Sequence, residues 1–425
     1  MRIVLLCLPL ALVISSCEVT DSSQNQQGQP VKASQQRQPV QSPQAAATAD
    51  GLAAHDPHVG ETAVAAVGDI ADPEVRPFMQ AQVVLDRLGF TPGVVDGKDG
   101  LSTRNAVSGF QEANNLTATG KVDDATTKLL AQWNNIPATR VVTIPSEFAA
   151  GPFYKIPKGP AEQAKMPALG YQSLDEKLAE RFHTTIDTLK QLNPGGLPAG
   201  ANPSAGGPSP ITSPVATSGG SASAPSSLDP KSKGDSAFTL QPGPPSFFRA
   251  GQQIRVPNIG ADVMDPASVA DPAWGQTLAM LGVGSQQPKV TKVVVSKSKG
   301  TLKAYDEAGQ LTAVYTATMG SQHDPLPLGN WKILGIDRNP KFHYNPALFW
   351  DAKPGTEKAM LPAGPNGPVG VVWIAIGKPH YGIHGTPSPE TIGRAESHGC
   401  VRLTNWDAAR LAQMVSTKTE LLFEA

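Results

Sequence analysis

Two stretches of this chain are too poor in large apolar residues to bury a core, and they divide it into separate folding units. Residues 18–72 are rich in Gln, Ser, Ala and Pro and contain no aromatic residue. Residues from about 195 to 246 are dominated by Gly, Ser, Pro and Ala. Such segments cannot offset the entropy lost on folding, so the sequence predicts that both stay disordered. A chain of 425 residues with these interruptions is expected to contain several modules rather than one core.

The net charge and the N-terminus indicate the partners and the compartment. Lys and Arg total 35 against 36 Asp and Glu, and a chain without a basic excess is not expected to bind nucleic acid. Residues 1–17 contain a 12-residue apolar run from Ile3 to Ile14, which is long enough for a signal peptide but too short to span a bilayer. The segment ends in ISSC, which resembles the bacterial lipobox. This resemblance implies an exported, periplasmic or cell-envelope protein that lipid on Cys17 anchors to a membrane, with residues 18–72 as a tether. An ordinary secretory signal is the alternative.

Residues 75–135 contain three short amphipathic helical patterns. The first covers residues 78–88, the second follows Ser102 as a candidate N-cap, and the third opens at Asp123. The run GVVDGKDGLSTRNAVSGFQEANNLTATGKVDDATTKLL, with its glycine-rich turns, resembles the three-helix peptidoglycan-binding domain of cell-wall enzymes. The resemblance implies peptidoglycan as a partner. A small helical bundle without a ligand is the alternative.

Residues 140–258 predict two helices between two short strands. A capping box at Ser173–Glu176 opens the first helix, and the second starts within TTID. The segments YQSLDEKLAERFHTTIDTLKQLNP and GQQIRVPN resemble the two parts of a LysM glycan-binding module, here separated by a disordered insert at about 195–246. The resemblance implies glycan as a partner, and a structural spacer is the alternative. Residues 259–288 are predicted to be a connector.

From about residue 289 the pattern becomes mostly β. One helix is predicted after Thr404, and the strands are predicted at residues 293–295, 302–304, 311–315, 331–336, 370–376 and 421–423. The fold class is therefore multidomain, with a mostly β domain over residues 289–425.

The strongest chemical signal is a cysteine with histidines near it. The sequence contains three cysteines, and Cys400 is the one outside the N-terminal 17 residues. A cysteine attacks as the thiolate, and a neighbouring histidine such as His384 can take its proton or pair with the anion, which lowers the cysteine pKa to roughly 3.5–7.5. We therefore expect an alkylation-prone nucleophile. A zinc site formed by His380, His384, His398 and Cys400 is the alternative, although paired ligand spacing and a second nearby cysteine are missing.

Several ordered motifs surround this cysteine. They are PLG before Trp331, YNP at 344–346, LPAGPNGPVG at 361–370, YGIHGT at 381–386 and SHGCVRL at 397–403. Together they resemble the L,D-transpeptidase catalytic domain, also called the YkuD domain, over about residues 289–425. The resemblance implies a β-sandwich with short helices and chemistry without a cofactor or a metal. It also implies Cys400 as nucleophile, His384 as its base, the Gly385 carbonyl as the group that orients His384, and the amides of Gly399 and Cys400 as an oxyanion hole.

The roles of the remaining motif residues stay open. His398 either holds the nucleophile loop or acts as a second acid or base. Arg402 either binds a substrate carboxylate or ties the loop to the fold. Tyr344 and Ser397 are expected to contact substrate, and large aromatic residues such as Trp350 and Trp373 line the donor groove or belong to the core.

The resemblance to L,D-transpeptidases implies a transferase of peptidoglycan biosynthesis and cell shape. A tetrapeptide stem acylates the cysteine and releases D-alanine, and an amine then attacks the thioester. The amine comes from another stem, which gives a 3→3 crosslink, or from a protein to be attached to the wall, whereas water makes the enzyme a carboxypeptidase. Carbapenems are expected to acylate the same cysteine. A non-catalytic wall-binding anchor is the alternative. Because residues 75–258 carry no candidate catalytic group, a chain shortened to start near Lys289 is expected to fold and stay active on soluble fragments.

Overall fold

The structure, a computed structural model, describes residues 70–202, 238–260 and 268–425. The predicted signal peptide, the predicted lipidation site Cys17 and nearly all of the tether lie outside these ranges. Within them, no helix combines the length and the apolar character needed to cross a bilayer.

The N-terminal module, residues 75–135, contains the three predicted helices. They are α1 (Pro77–Arg87), α2 (Leu101–Ala113) and α3 (Asp124–Leu130). Asp123 caps α3, because its carboxylate accepts a hydrogen bond from the Thr126 amide at 3.0 Å. The prediction that Ser102 caps α2 is wrong. The helix begins two residues earlier than predicted, at Leu101 after Gly100, which places Ser102 inside the first turn.

The central module, residues 140–258, folds as two helices between two paired strands. Its elements are β1 (Thr139–Thr143), the one-turn helices α4 (Ser146–Ala149) and α5 (Pro160–Gln163), the helices α6 (Leu174–Arg181) and α7 (Ile186–Leu192), and β2 (Gln253–Pro257). The two strands are antiparallel. Ser173 and Thr185 cap α6 and α7 by accepting hydrogen bonds from backbone amides. The elements follow the predicted order, and the likeness to a LysM module stays a prediction.

Both ends of the predicted insert belong to the folded structure. Residues 195–202 and 238–246 are described, whereas residues 203–237 lie outside the described part of the chain. Phe238 and Leu240 are partly buried against an apolar cluster that Met166 and Leu169 of the central module form with Leu361 of the C-terminal domain. The prediction of disorder is therefore wrong for these two ends. Residues 238–246 pack large apolar side chains against this cluster, and in residues 195–202 the Gly196 and Ala199 carbonyls accept hydrogen bonds from the Gln252 and Arg255 side chains.

The C-terminal domain, residues 289–425, is built on one large sheet. Its strands are β3 (Lys292–Ser296), β4 (Thr301–Tyr305), β5 (Leu311–Thr316), β6 (Thr318–Met319), β7 (Gly329–Arg338), β8 (Phe342–Tyr344), β9 (Ala359–Leu361), β10 (Val372–Ile376), β11 (Gly382–His384), β12 (Val401–Arg402) and β13 (Glu420–Glu424). β8 and β9 pair as a separate hairpin. The other nine strands form one sheet in the order β5-β4-β3-β13-β7-β10-β11-β12-β6.

The sheet is continuous where a β-sandwich was expected. β7 is ten residues long, and it pairs with β13 over Gly329–Lys332 and with β10 over Ile333–Arg338, so it joins the two halves. β5 and β6 stand at opposite ends of the strand order, yet Ala317 alone separates them in the chain. The sheet must therefore curl until it is nearly closed. The mostly β prediction is confirmed, and the β-sandwich is corrected to this nearly closed sheet.

Two helices pack on the sheet and fill its core. They are α8 (Pro272–Leu281) and α9 (Asn405–Met414). Thr404 caps α9 as predicted, since its hydroxyl accepts a hydrogen bond from the Asp407 amide at 3.1 Å. Trp274 and Leu278 of α8 are buried in the same cluster as Trp406 of α9. The segment predicted to be a connector thus contributes a helix to the core of the C-terminal domain.

The N-terminal module covers the edge of the sheet at β5. The Val314 amide donates to the Gly89 carbonyl at 3.1 Å, and the Thr91 amide donates to the Val314 carbonyl at 3.0 Å. In α2, Gly109 lies so close to Val314 that a Cβ there would overlap the valine side chain. An uncovered strand edge is a template for aggregation, so this contact protects the sheet.

A buried charge cluster joins all three parts of the chain. Asp86 of α1 receives two hydrogen bonds from the Arg410 guanidinium of α9, at 3.0 and 3.1 Å. His183, which follows α6, contacts the same carboxylate through Nδ1 at 3.2 Å and the Leu281 carbonyl through Nε2 at 2.8 Å. Its ring stacks on Trp406 with centroids 4.7 Å apart. Burial alone would raise the pKa of Asp86, but Arg410 and His183 hold it well below its usual range.

The C-terminal domain therefore depends on the modules before it. Removing residues before Lys289 would uncover β5, take α8 out of the core and separate Arg410 from Asp86. The expectation that such a shortened chain folds is not supported by these contacts.

We expect Asp86→Ala to lower the free energy of unfolding by about 3–5 kcal/mol, because it removes the carboxylate that is hydrogen-bonded to the buried Arg410 guanidinium, and Asp407 at 3.9 Å is a more distant partner. Urea unfolding of the whole protein measures the change. The matched control is Asp99→Ala, which breaks an exposed ion pair with Arg104 and is expected to cost at most about 1 kcal/mol. Equal losses for the two variants would contradict the structural role of the cluster.

Candidate active site

His384 ends β11 between two neighbouring strands that fix its backbone. It lies opposite Trp373 of β10 and opposite Arg402 of β12. Its ring stacks on the Trp373 ring, with centroids 5.6 Å apart, and the residue is 4% exposed. Nδ1 donates to the Gly385 carbonyl at 2.7 Å, so Nε2 is left as the proton acceptor. This is the orientation that the sequence predicted for a base held by Gly385.

Cys400 comes directly before β12, in a loop tied to the sheet by Ser397. The Ser397 hydroxyl donates to the Cys400 carbonyl at 2.6 Å and accepts from the Gly320 amide at 2.7 Å. Ser397 is 3% exposed, and these backbone contacts use its hydroxyl in both directions. The predicted contact between Ser397 and substrate is therefore replaced by a role in holding the loop.

Gly399 has a conformation that other residues rarely adopt. Its φ is +91°, and the Tyr381 ring occupies the space where a Cβ would stand. The tight approach lets Tyr381 cover the turn before the nucleophile. The role of the Gly399 and Cys400 amides as an oxyanion hole stays a prediction.

Strand pairing brings the histidine and cysteine motifs together. β11 and β12 are parallel, with Ile383 opposite Val401. Cys400 and Gly382 each precede one of these paired residues, and the Gly382 amide lies close enough to the thiol to lower its pKa. The Cys400 Sγ also lies 3.7 Å from the His380 carbonyl. The motifs YGIHGT and SHGCVRL thus form one site.

Burial keeps both reacting groups neutral in the resting site. It raises the pKa of Cys400 to about 11, although the Gly382 amide and the Arg402 charge act in the opposite direction. Burial also lowers the pKa of His384 to about 4, against the effect of its bond to Gly385. These shifts favour a neutral thiol and a neutral imidazole over the ion pair, which is the other arrangement that the sequence left open. The arrangement supports a neutral imidazole that accepts the thiol proton as the thiol attacks.

Arg402 places a positive charge beside the thiol and also ties the loop. Its Nη1 donates to the Glu396 carbonyl at 3.3 Å. The charge lowers the pKa of Cys400, whereas the carboxylate of Asp324 raises it. The loop contact is present in the structure, and binding of a substrate carboxylate stays a prediction.

An arm of residues 342–361, the aromatic arm, packs on the nucleophile loop. Asp351 in this arm accepts a hydrogen bond from His398 Nε2 at 2.8 Å. Phe349 meets the His398 ring edge-on at 5.0 Å, and Tyr344 stacks on Phe349 at 5.4 Å. His398 is thereby fixed between the arm and the loop, which favours the loop-holding role over acid–base chemistry. Tyr344 is linked to the loop through Phe349, and its contact with substrate stays a prediction.

Trp350 and Trp373 occupy different environments. Trp350 is 58% exposed at the aromatic arm and stacks on His323 at 4.4 Å, so it is available at the surface near the loop. Trp373 stacks on His384 and supports the base. The four residues of the zinc alternative do not form a ligand set, since the described ranges contain no group of three or more His, Cys, Asp or Glu side chains that could hold a metal.

Sequence reasoning assigned no role to four residues that shape the site. They are Asp324, Asp351, Tyr381 and Asn405. Tyr381 stands next to the GIHG segment, and Asn405 is the second residue after the SHGCVRL motif, so proximity in sequence could have indicated both. The two aspartates come from distant segments, and the fold alone brings them close.

The two shifted pKa values predict how Cys400 reacts with iodoacetamide. Because the thiol has a pKa of about 11, the alkylation rate of the folded protein should keep rising with pH beyond the neutral range. Mass spectrometry of the Cys400 peptide after timed quenching measures the rate. The same protein in urea is the control, and its thiol should titrate near the usual cysteine pKa of about 8.5. A plateau of the folded protein below about pH 7 would show an ion pair instead.

Comparisons with known proteins agree with the arrangement of the chain. Residues 291–422 match the family model described as "L,D-transpeptidase catalytic domain", and residues 77–130 match the "Putative peptidoglycan binding domain". The chain is similar to "Putative L,D-transpeptidase YkuD" of Bacillus subtilis, with 47% identity over 37% of this chain and 80% of that protein. The chain is also similar to the protein of the same description from Bacillus licheniformis, with 30% identity over 35% of this chain and 73% of that protein.

A solved L,D-transpeptidase from Mycobacterium smegmatis is 22% identical over 32% of this chain and 58% of that one. Its TM-score of 0.27 is too low to add to the assignment. The two Bacillus relatives are similar over most of their own length, and the catalytic-domain match covers every residue of the site built above. The chain therefore belongs to the L,D-transpeptidase family with the YkuD catalytic domain.

Proposed function

We propose that this protein is a cysteine acyltransferase that joins peptidoglycan stem peptides through a thioester on Cys400. The observation that carries the proposal is the hydrogen bond from His384 Nδ1 to the Gly385 carbonyl, on the strand that pairs beside Cys400. It leaves Nε2 of a neutral His384 as a proton acceptor, on the strand paired with the segment that directly follows the half-buried Cys400. A thiol with a base in this orientation is suited to acyl transfer.

The acylation step uses the thiol, the base and the donor carbonyl. His384 Nε2 takes the Cys400 proton as Sγ attacks the carbonyl of the third stem residue, which forms a tetrahedral oxyanion. The amides of Gly399 and Cys400 are proposed to donate hydrogen bonds to that oxygen, and one such donor is typically worth about 3–4 kcal/mol in the transition state. The C–N bond then breaks, and His384 returns the proton to the leaving amine of D-alanine.

The second step transfers the acyl group to an acceptor. His384 takes a proton from the attacking amine, the new amide forms, the C–S bond breaks, and the proton returns to sulfur. An amine from another stem gives a 3→3 crosslink, and an amine from a protein attaches that protein to the wall. Attack by water gives carboxypeptidase activity in place of transfer. No step in this cycle requires a metal or an organic cofactor.

The remaining parts of the chain are proposed to place the enzyme at its substrate. The peptidoglycan-binding match over residues 77–130 supports binding to the wall. The central module is proposed to contribute glycan binding as a LysM-like unit. Cys17 is proposed to carry the lipid that holds the protein at a membrane of the cell envelope. The rival proposal, a non-catalytic anchor, gives no role to the oriented His384 or to the thiol beside it.

The acyl-enzyme intermediate tests the proposed chemistry directly. Donor tetrapeptide without acceptor should release D-alanine and add the mass of the acyl fragment to the Cys400 peptide. Cys400→Ala should abolish both events, and Cys400→Ser should be nearly inactive because a hydroxyl is far more basic than a thiol. His384→Ala should slow acylation at least about 100-fold, as is typical for a lost general base.

His343→Ala is the matched control, because His343 is an exposed histidine outside the proposed machinery. It should acylate as fast as the unchanged protein. Acylation of Cys400→Ala elsewhere in the chain would overturn the role of the thiol. Muropeptide analysis after addition of a stem acceptor then separates transfer from hydrolysis.

Carbapenems should acylate the same thiol, because their strained lactam carbonyl resembles the donor amide. We expect a covalent mass increase on the Cys400 peptide of the whole protein, and none in Cys400→Ala. Prior incubation with the carbapenem should block D-alanine release in proportion to the modified fraction. Full acylation by carbapenem without loss of D-alanine release would contradict a shared site.

A further inference from the structure

The side chain of Asn405 lies where the central module meets the active site. Asn405 is the first residue of α9 and is 1% exposed. Its Nδ2 donates to Glu180 Oε1 of α6 at 2.7 Å and to the Pro365 carbonyl at 3.1 Å. Its Oδ1 accepts from the Val371 amide at 3.3 Å. This amide group therefore connects α6 to the start of β10.

The side-chain oxygen of Asn405 lies in close contact with the Gly385 backbone, which orients the base. A Cβ on Gly385 would overlap Asn405 Oδ1, and so would a Cβ on Gly370. The Gly385 carbonyl is the group that accepts the hydrogen bond from His384 Nδ1. Asn405 thus fills the space into which the peptide after His384 would otherwise turn.

Glu180 determines which end of the amide faces that peptide. The Glu180 carboxyl and the Pro365 carbonyl are both acceptors, so the NH₂ group of Asn405 must point toward them. The carbonyl end is then directed at the Val371 amide and the two glycines. Glu180 is 8% exposed, so its carboxyl lies in the interior beside the Asn405 amide.

The central module also fixes the second acceptor of Asn405. The Leu169 amide donates to the Ala363 carbonyl at 3.0 Å, and the Asn366 amide donates to the Leu169 carbonyl at 2.9 Å. Asn366 Nδ2 donates to Glu176 Oε1 at 2.7 Å. The segment that carries Pro365 is therefore held on both sides by residues of the central module.

We infer that Asn405 and Glu180 are positioning residues of the acyl-transfer site, in which Glu180 orients the Asn405 amide and the amide holds the Gly385 peptide that orients His384. The inference rests on the proposed function. Neither side chain is placed against substrate. The central module therefore supports the catalytic base in addition to any binding of glycan.

A double-mutant cycle tests the inference. Asn405→Ala should slow acylation at least about 10-fold with little change in KM, because the base is misaligned and donor contacts remain. In a His384→Ala background the same substitution should have little further effect, because the group that it positions is already absent. Additive losses in the cycle would overturn the inference, since they would show that Asn405 acts on something other than His384.

Two substitutions of Glu180 provide a second test, and they leave the Asn405 side chain in place. Glu180→Gln keeps an acceptor for Asn405 and should acylate at nearly the unchanged rate, whereas Glu180→Ala should slow acylation like Asn405→Ala. If Asn405→Ala fails to fold, this pair carries the test. Equal rates for Glu180→Gln and Glu180→Ala would overturn the role of Glu180.

The control is Asn193→Ala, which removes a similarly buried amide from the central module. Asn193 Nδ2 donates to the Leu189 and Arg255 carbonyls at 2.8 Å, away from the catalytic strands. It should lower the melting temperature without changing the acylation rate of the folded protein. Loss of acylation in this control equal to that of Asn405→Ala would assign the effect to general destabilisation and overturn the inference.

Iodoacetamide alkylation separates a failure of this inference from a failure of the proposed function. If the unchanged protein forms no acyl-enzyme with any donor, the proposed function fails. The alkylation rate of Cys400 near pH 8 still reports on proton transfer to His384, so the same cycle can be run without a donor. If Asn405→Ala slows alkylation in the otherwise unchanged protein but not in the His384→Ala background, the inference is supported in that case too. If Asn405→Ala does not slow alkylation, the inference is overturned.

Discussion

The pairing of β11 with β12 is short, yet the whole active site depends on it. Two residue pairs, one of them Ile383 with Val401, bring the segments of His384 and Cys400 together, although a loop separates them in the chain. Because the pairing is parallel, the residues before each pair also lie side by side, which places the Gly382 amide close to the Cys400 thiol. The Gly385 carbonyl, which follows His384, accepts the hydrogen bond from Nδ1 of that histidine. The rest of the sheet, the capped α9 and the aromatic arm keep these two strands in register.

Burial has a larger effect than nearby charges on the protonation states of Cys400 and His384 in the resting site. Taking Cys400 and His384 out of water disfavours the charged form of each, and the Arg402 charge is not sufficient to reverse this for the thiol. Both side chains are therefore neutral in the resting site. Reaction with stray electrophiles is slow under these conditions, which is useful for a thiol in an oxidising compartment such as the one proposed here.

The sequence predicted the parts of the molecule whose signals are local. Helix caps such as Asp123, Ser173 and Thr404 and the longer strands of the C-terminal domain could be predicted from spacing, and ordered motifs identified His384 and Cys400. The short strands β6, β8, β9, β11 and β12 were not predicted, because two or three residues carry too little pattern. It did not predict the contacts between modules, because Asp86, His183 and Arg410 are far apart in the chain and each resembles an ordinary surface residue there. The sequence could not choose between a neutral pair and an ion pair for a related reason, since the degree of burial of Cys400 depends on the complete fold.

The shared charge cluster limits how such a chain can change by recombination. The N-terminal module supplies the carboxylate of Asp86, the central module supplies His183, and the C-terminal domain supplies Arg410. An exchange that replaced one module with a relative from another lineage would leave the other two charged or polar groups buried without their partner. The three units therefore have to be inherited together, although low-complexity stretches in the chain suggest parts that could be exchanged freely.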